Sequence, residues 1–200
     1  MSAKPYHAGH DGLVRIAAGE NGIVKLFVST TDRARSGEMK IDGETMQIIW
    51  WDYIEPTLPE NVIVDYCRKG EDSPVGKVYK ELEVAEQNKS KDTFMIYSDD
   101  KDILDYSDES LKNAAPKLFA NGQIIRRGIS RSETVDVSGT EMREFIEDGD
   151  VVGFTALLPR AMQYAGREIF DLLIDDTMGE SLLKRYIGIL LKESLLKTKK

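Results

Sequence analysis

Residues 23–29 read IVKLFVS, and the fold turns on them. The run is rich in β-branched residues, too short for a helix and apolar without alternation, the pattern of a buried strand. Upstream, Leu13, Ile16 and Ala17 fall at i, i+3 and i+4. Residues 11–19 therefore predict a short amphipathic helix, with Gly19 and Gly22 marking the turn into the strand. Downstream, TTDRARSGEMKIDG (30–43) is polar and contains glycine, so it predicts a loop. From Glu44, the residues Met46, Ile49, Trp50 and Tyr53 keep helical spacing until Pro56 ends the pattern.

The same alternation continues along the chain. NVIVDYC (61–67), TFMIYS (93–98) and QIIRRGI (123–129) predict three more strands. Between them, Ser73 and Pro74 open a helix as N-cap and first helical residue, with Val75, Val78, Tyr79 and Leu82 as its apolar stripe. Residues 99–122 are acidic and irregular, with helical spacing at Leu111, Ala115 and Leu118. In SGTEMREFIEDG (138–149), Ser138 and Glu141 have the spacing of a capping box, Met142, Phe145 and Ile146 give a buried face, and Gly149 is the stop. Residues 151–197 predict two or three further helices, the last with Leu182, Leu183, Tyr186, Leu190 and Leu191 on one face. Strands alternating with helices imply βαβ units and a parallel sheet. Ligands of such sheets bind beyond the carboxyl ends of the strands, so the loops there are where function is sought.

Composition sets the outer bounds. Two hundred residues suit one domain, and 41% hydrophobic with 31% charged residues is ordinary for a soluble globular protein. No apolar run approaches the roughly 20 residues that span a bilayer. The first residues lack the apolar region of a signal peptide, so the expectation is a cytoplasmic protein without a membrane partner. The single cysteine, Cys67, excludes an internal disulfide framework and a Cys-rich zinc site. A net charge of −8 argues against a nucleic-acid partner, which needs a basic face, and leaves room for a small anion.

Two stretches carry chemistry. The chain's two histidines, His7 and His10, flank Gly9 where a loop enters the first helix. A helix N-terminus presents free N–H groups and partial positive charge, and imidazoles there can donate to phosphate oxygens, with Gly9 allowing a close backbone approach to a ligand. The plainer alternative is two solvated histidines. The second stretch, Ser138 to Arg143, puts two hydroxyls (Ser138 and Thr140) at another helix N-terminus, with Arg143 one turn in. The plainer alternative is a well-capped helix, although capping does not require Arg143.

Taken together, PYHAGH (5–10) and SGTEMR (138–143) resemble the paired motifs of the HxGH nucleotidyltransferase superfamily, and most closely its nicotinamide-mononucleotide adenylyltransferases. The basic loop 30–46 and VVGFTALLP (151–159) add to the likeness, which spans residues 4–160. The resemblance implies a Rossmann-like parallel sheet with flanking helices over residues 1–159 and C-terminal helices, 160–200, packed on it. It also implies transfer of a nucleoside monophosphate, AMP from ATP in the leading case, to a phosphorylated small-molecule acceptor, with release of pyrophosphate. By resemblance, His7 and His10 contact the triphosphate, with His10 nearest the α-phosphate. Ser138, Gly139, Thr140 and the N-terminus of their helix hold the β- and γ-phosphates, and Arg143 supports them. Mg²⁺ is implied as the cofactor, held through phosphate oxygens rather than by protein ligands. Gly9 would lie against the nucleotide, and Lys4 would add charge at the same loop. Arg33, Arg35 and Lys40 would bind the acceptor or the triphosphate. Arg126, Arg127 and Arg131 could fold over the nucleotide, and Ser98 and Asp99 could meet its ribose or base.

In one respect the chain departs from the family. There, a central strand leads directly into HxGH, whereas six residues precede His7 here. The expectation is a sheet whose first strand is missing or truncated, with an upstream strand in the native gene product or an impaired stability as the consequence. A segment such as YIGILL (186–191) is the other way to fill that position. Three further readings stay open: a cytidylyltransferase using CTP and a sugar- or polyol-phosphate, a non-catalytic nucleotide-binding protein, and a C-terminal helical surface that joins two copies into a homo-oligomer.

Overall fold

The computed structural model describes residues 5–32, 41–68 and 70–174. The molecule is a mixed α/β, Rossmann-like arrangement of parallel strands flanked by helices. Helix α1 (Ala8–Glu20) leads into β1 (Val24–Ser29). Leu26, Phe27 and Val28 are buried in succession, so β1 is covered on both faces, as its unbroken apolar run requires. Helix α2 (Gly43–Ile49) follows, capped by the Asp42 carboxylate, which accepts from the Thr45 N–H at 2.8 Å.

The helical spacing through Tyr53 conceals a change of helix type. Residues Trp50–Ile54 form a π-turn, and Glu55–Thr57 a 3₁₀ turn carrying Pro56. Glu55 donates its N–H five residues back, to the Trp50 carbonyl. Pro56, without an N–H, could not continue an α-helix. The wider turn keeps both Trp50 and Ile54 in the core.

Strand β2 (Val62–Cys67) pairs in parallel with β1, from Val24 opposite Val62 to Ser29 opposite Cys67. Helix α3 (Pro74–Gln87) starts at its Ser73 cap, and β3 (Phe94–Asp99) follows. Short helices α4 (Asp108–Ala114) and α5 (Pro116–Ala120) cross to β4 (Ile124–Ile129), parallel to β3 from Phe94 opposite Ile124 to Asp99 opposite Ile129. Helix α6 (Gly139–Glu147) is capped by the Ser138 hydroxyl, which accepts from the Glu141 N–H at 3.1 Å. It stops where Gly149 turns at φ 73°. Helices α7 (Val151–Leu157) and α8 (Gly166–Ile174) complete the described chain.

Among the described residues the strands form two pairs, β1–β2 and β3–β4, and no strand joins them. The segment 186–191, offered above for that position, and the apolar face at 182–191 lie outside the described residues. Helix α1 packs on both β1 and β3, and α3 also packs on β1. Polar ties reinforce this: the Asn21 amide donates to the Tyr97 hydroxyl at 2.8 Å, which donates to Glu20 at 2.7 Å, and Lys25 meets Glu81 at 2.6 Å. One core gathers Val14, Val28, Met46, Trp50, Met142 and Phe154 with Met162, Ile169 and Phe170 from the C-terminal helices. A second gathers Leu82, Ile96, Leu111 and Leu118. Each such side chain, once buried, contributes about 1.5–3 kcal/mol over its exposed state. No helix among the described residues is long and apolar enough to cross a membrane.

Candidate functional site

The histidine motif stands at the N-terminus of α1, and His7 is its N-cap residue with extended backbone. The first intrahelical bond runs from the Asp11 N–H to the His7 carbonyl, so the N–H groups of residues 8–10 have no intrahelical acceptor. The His7 side chain makes no capping bond. Instead its ring lies on that of His10, with centroids 3.7 Å apart and planes 24° from parallel. The Tyr6 ring also stacks with that of His10, at 5.8 Å and 21°. Trp50, held by the π-turn, meets Tyr6 edge-on at 5.0 Å.

A polar chain fixes this column. The Tyr6 hydroxyl donates to the Asp11 carboxylate at 3.3 Å, and Arg15 donates to the same carboxylate at 2.7 Å and to the Thr57 carbonyl at 3.0 Å. Asp11 and Arg15 have the i, i+4 spacing of a helix-surface ion pair, the one local signal in the sequence for this contact. That it anchors the ring stack has no such signal.

His7 is only 6% exposed, and the Nδ1 atoms of both histidines are buried without a hydrogen-bond partner. Burial, aided by the positive charge of Arg131, lowers the His7 imidazole to about 4. Burial likewise lowers His10 well below its ordinary value, and the neighbouring His7 adds to that. Both rings are therefore neutral at pH 7, each with one nitrogen able to donate and one able to accept. Two buried ring nitrogens without a partner, at a helix N-terminus, carry an unmet hydrogen-bonding capacity that a polar ligand reaching them would satisfy.

The loop before α6 covers this helix end. A Cβ placed on Gly9 would lie 2.9 Å from the Val135 carbonyl oxygen and 3.1 Å from the His7 Nδ1. One on Gly12 would lie 3.0 Å from the Thr134 side chain. The close approach that Gly9 permits is thus to Val135 and to its own neighbour's ring. Ser138 follows Val135 by three residues, which reach at most about 11 Å, so the two motif stretches share one end of the molecule.

The remaining residues named from sequence are placed as follows. Ser138 uses its hydroxyl to cap α6, whose first residues are Gly139 and Thr140. Arg143 folds back along its helix to donate to the Thr140 hydroxyl at 3.2 Å. Arg127 is engaged by Glu133 at 2.8 Å and Glu20 at 3.7 Å. Arg126 points to the second core, donating to the Tyr106 carbonyl at 2.7 Å and pairing with Asp108. Ser98 and Asp99 end β3, where the Asp99 carboxylate accepts from the N–H groups of Lys101 and Asp102 at 2.9 and 2.8 Å. Lys4, Arg33, Arg35 and Lys40 lie outside the described residues. Among the described residues no three His, Cys, Asp or Glu side chains come together as a protein-held metal would need. No family model, curated protein or solved structure matches this chain.

Proposed function

We propose that the protein is a cytoplasmic nucleotidyltransferase that moves a nucleoside monophosphate, AMP before CMP, from a triphosphate to a phosphorylated small molecule, with no nucleic-acid partner. One observation carries the reading. The buried, unpartnered Nδ1 atoms of His7 and His10 sit at the N-terminus of α1, directly beneath the loop that opens α6. In this scheme an acceptor phosphate oxygen attacks the α-phosphorus, the bond to the bridging oxygen breaks, and pyrophosphate leaves.

His10, and His7 behind it, donate hydrogen bonds where charge grows on the α-phosphate. The free N–H groups of the two helix ends receive the β- and γ-phosphates. A neutral imidazole enters a buried site without the cost of desolvating a cation, and the arriving polyanion then raises its proton affinity. Mg²⁺, when bound, would be held through the phosphate oxygens rather than by side chains of this protein, and would supply charge neutralisation there. The rest is positioning, which alone reaches several kcal/mol for two aligned reactants.

The test is acceptor-dependent pyrophosphate release with ATP and with CTP across a panel of phosphorylated acceptors. Activity with one pair, reduced about 100-fold or more in His10→Ala, is the expected result. The burial of His7, with the Val135 carbonyl close against Gly9, favours as a second reading a binding protein that holds the nucleotide without turnover. Tight nucleotide binding with no pyrophosphate from any pair is its signature.

A further inference from the structure

Arg131 and Asp136 flank the stretch of loop that lies against the first turns of α1. Val135, next to Asp136, places its carbonyl against Gly9, and Thr134 lies against Gly12. Arg131 stands on the 3₁₀ turn Arg131–Glu133 just after β4, and its Nη1 is 3.3 Å from the Asp136 Oδ1. The two side chains are 67% and 75% exposed, so they form a screened pair of small net energy. The other two arginines of this segment are committed elsewhere, Arg126 to Tyr106 and Asp108, Arg127 to Glu133 and Glu20. Arg131 is also near enough to His7 for its charge to help lower that imidazole.

We propose that Asp136 is a placeholder for phosphate: a polyphosphate at the histidine pair displaces the Asp136 carboxylate from Arg131, which then binds the phosphate chain. This rests on the triphosphate reading above and adds a named cation to it. The exchange is chemically matched, because a guanidinium takes a carboxylate or a phosphate with the same fork of N–H donors. It is energetically open, because what is given up is an exposed pair and what is gained is a charge-assisted bond beside a helix N-terminus. Asp136 also keeps the loop mouth from carrying uncompensated positive charge when no ligand is bound.

The test is calorimetric titration of the full-length chain with inorganic tripolyphosphate, comparing wild type, Arg131→Ala, Arg131→Gln, Asp136→Asn and His10→Ala. The two partners should move affinity in opposite directions. Arg131→Ala and Arg131→Gln weaken binding about ten- to hundredfold. Asp136→Asn tightens it about two- to fivefold by removing the competing carboxylate. Circular dichroism melts confirm that these exposed substitutions leave the fold intact. Unchanged affinity in both Arg131 variants overturns the proposal, as does weakening by Asp136→Asn, which would make the pair a structural clasp. If His10→Ala loses binding while the Arg131 variants keep it, the triphosphate reading stands and this proposal falls. If wild type does not bind tripolyphosphate, both fall.

Discussion

At the scale of single residues, the stacked histidines tie stability to pH. His7 titrates at about 4 in the folded chain against 6.5 for an unperturbed imidazole, so the unfolded chain binds the proton first as pH falls. Its contribution is complete above pH 6.5 and is lost progressively down to about 4. At pH 5 the loss is about 2 kcal/mol. Comparing thermal melts at pH 7.5 and pH 5 for wild type and His7→Asn isolates this from the carboxylates, since the variant should lose less on acidification. Equal losses in both proteins contradict the assignment. Because the chain has only two histidines, their ring resonances are few enough to follow directly by NMR. Both should remain neutral at pH 6 in the free protein and shift on adding tripolyphosphate.

Among the elements, α1 makes a sharp contrast between its glycines. A methyl on Gly9 meets a backbone carbonyl at 2.9 Å, which cannot swing aside as a side chain would, whereas a methyl on Gly19 meets nothing within 4 Å. Gly9→Ala should therefore destabilise by about 1–3 kcal/mol. Gly19→Ala should stabilise by up to about 1 kcal/mol through helix propensity. Chemical denaturation of the two variants checks both signs.

The same helix shows what sequence could reveal and what it could not. IVKLFVS declared β1 to within a residue, because an apolar run between turn signals has few other uses. Ser73 and Ser138 declared the starts of α3 and α6 through their side-chain caps. The π-turn at Trp50 was hidden, because a one-residue widening leaves the local spacing of apolar side chains nearly unchanged. His7 and His10 were legible as a motif from their spacing around Gly9. Their stacking on one another, Tyr6 as the third ring and Val135 as the cover depend on contacts between distant segments, which no local pattern encodes.

For the whole molecule, two cores are joined chiefly through α1 and α3. Since α1 packs on strands of both pairs, loss of either core removes support from the other, and unfolding should be a single transition. Both tryptophans, Trp50 and Trp51, sit on the π-turn and report on the first core. Leu82→Ala in the second core should cost about 2–5 kcal/mol and shift the tryptophan transition together with the far-UV signal. A tryptophan transition left in place while the far-UV signal moves would show two independent units.

The histidine site lies where this architecture brings the start of α1 under the loop that opens α6, and its proposed role is to hold a triphosphate for attack at the α-phosphorus. Position-labelled nucleotide tests that claim most directly. With α-labelled and γ-labelled ATP or CTP, Mg²⁺ and a panel of phosphorylated acceptors, the α-label should appear in a new acceptor adduct and the γ-label in pyrophosphate. Both should disappear in His10→Ala. Transfer of the γ-label to the acceptor, release of the γ-label as free phosphate, or nucleotide returned intact across the panel would contradict nucleotidyl transfer at this site.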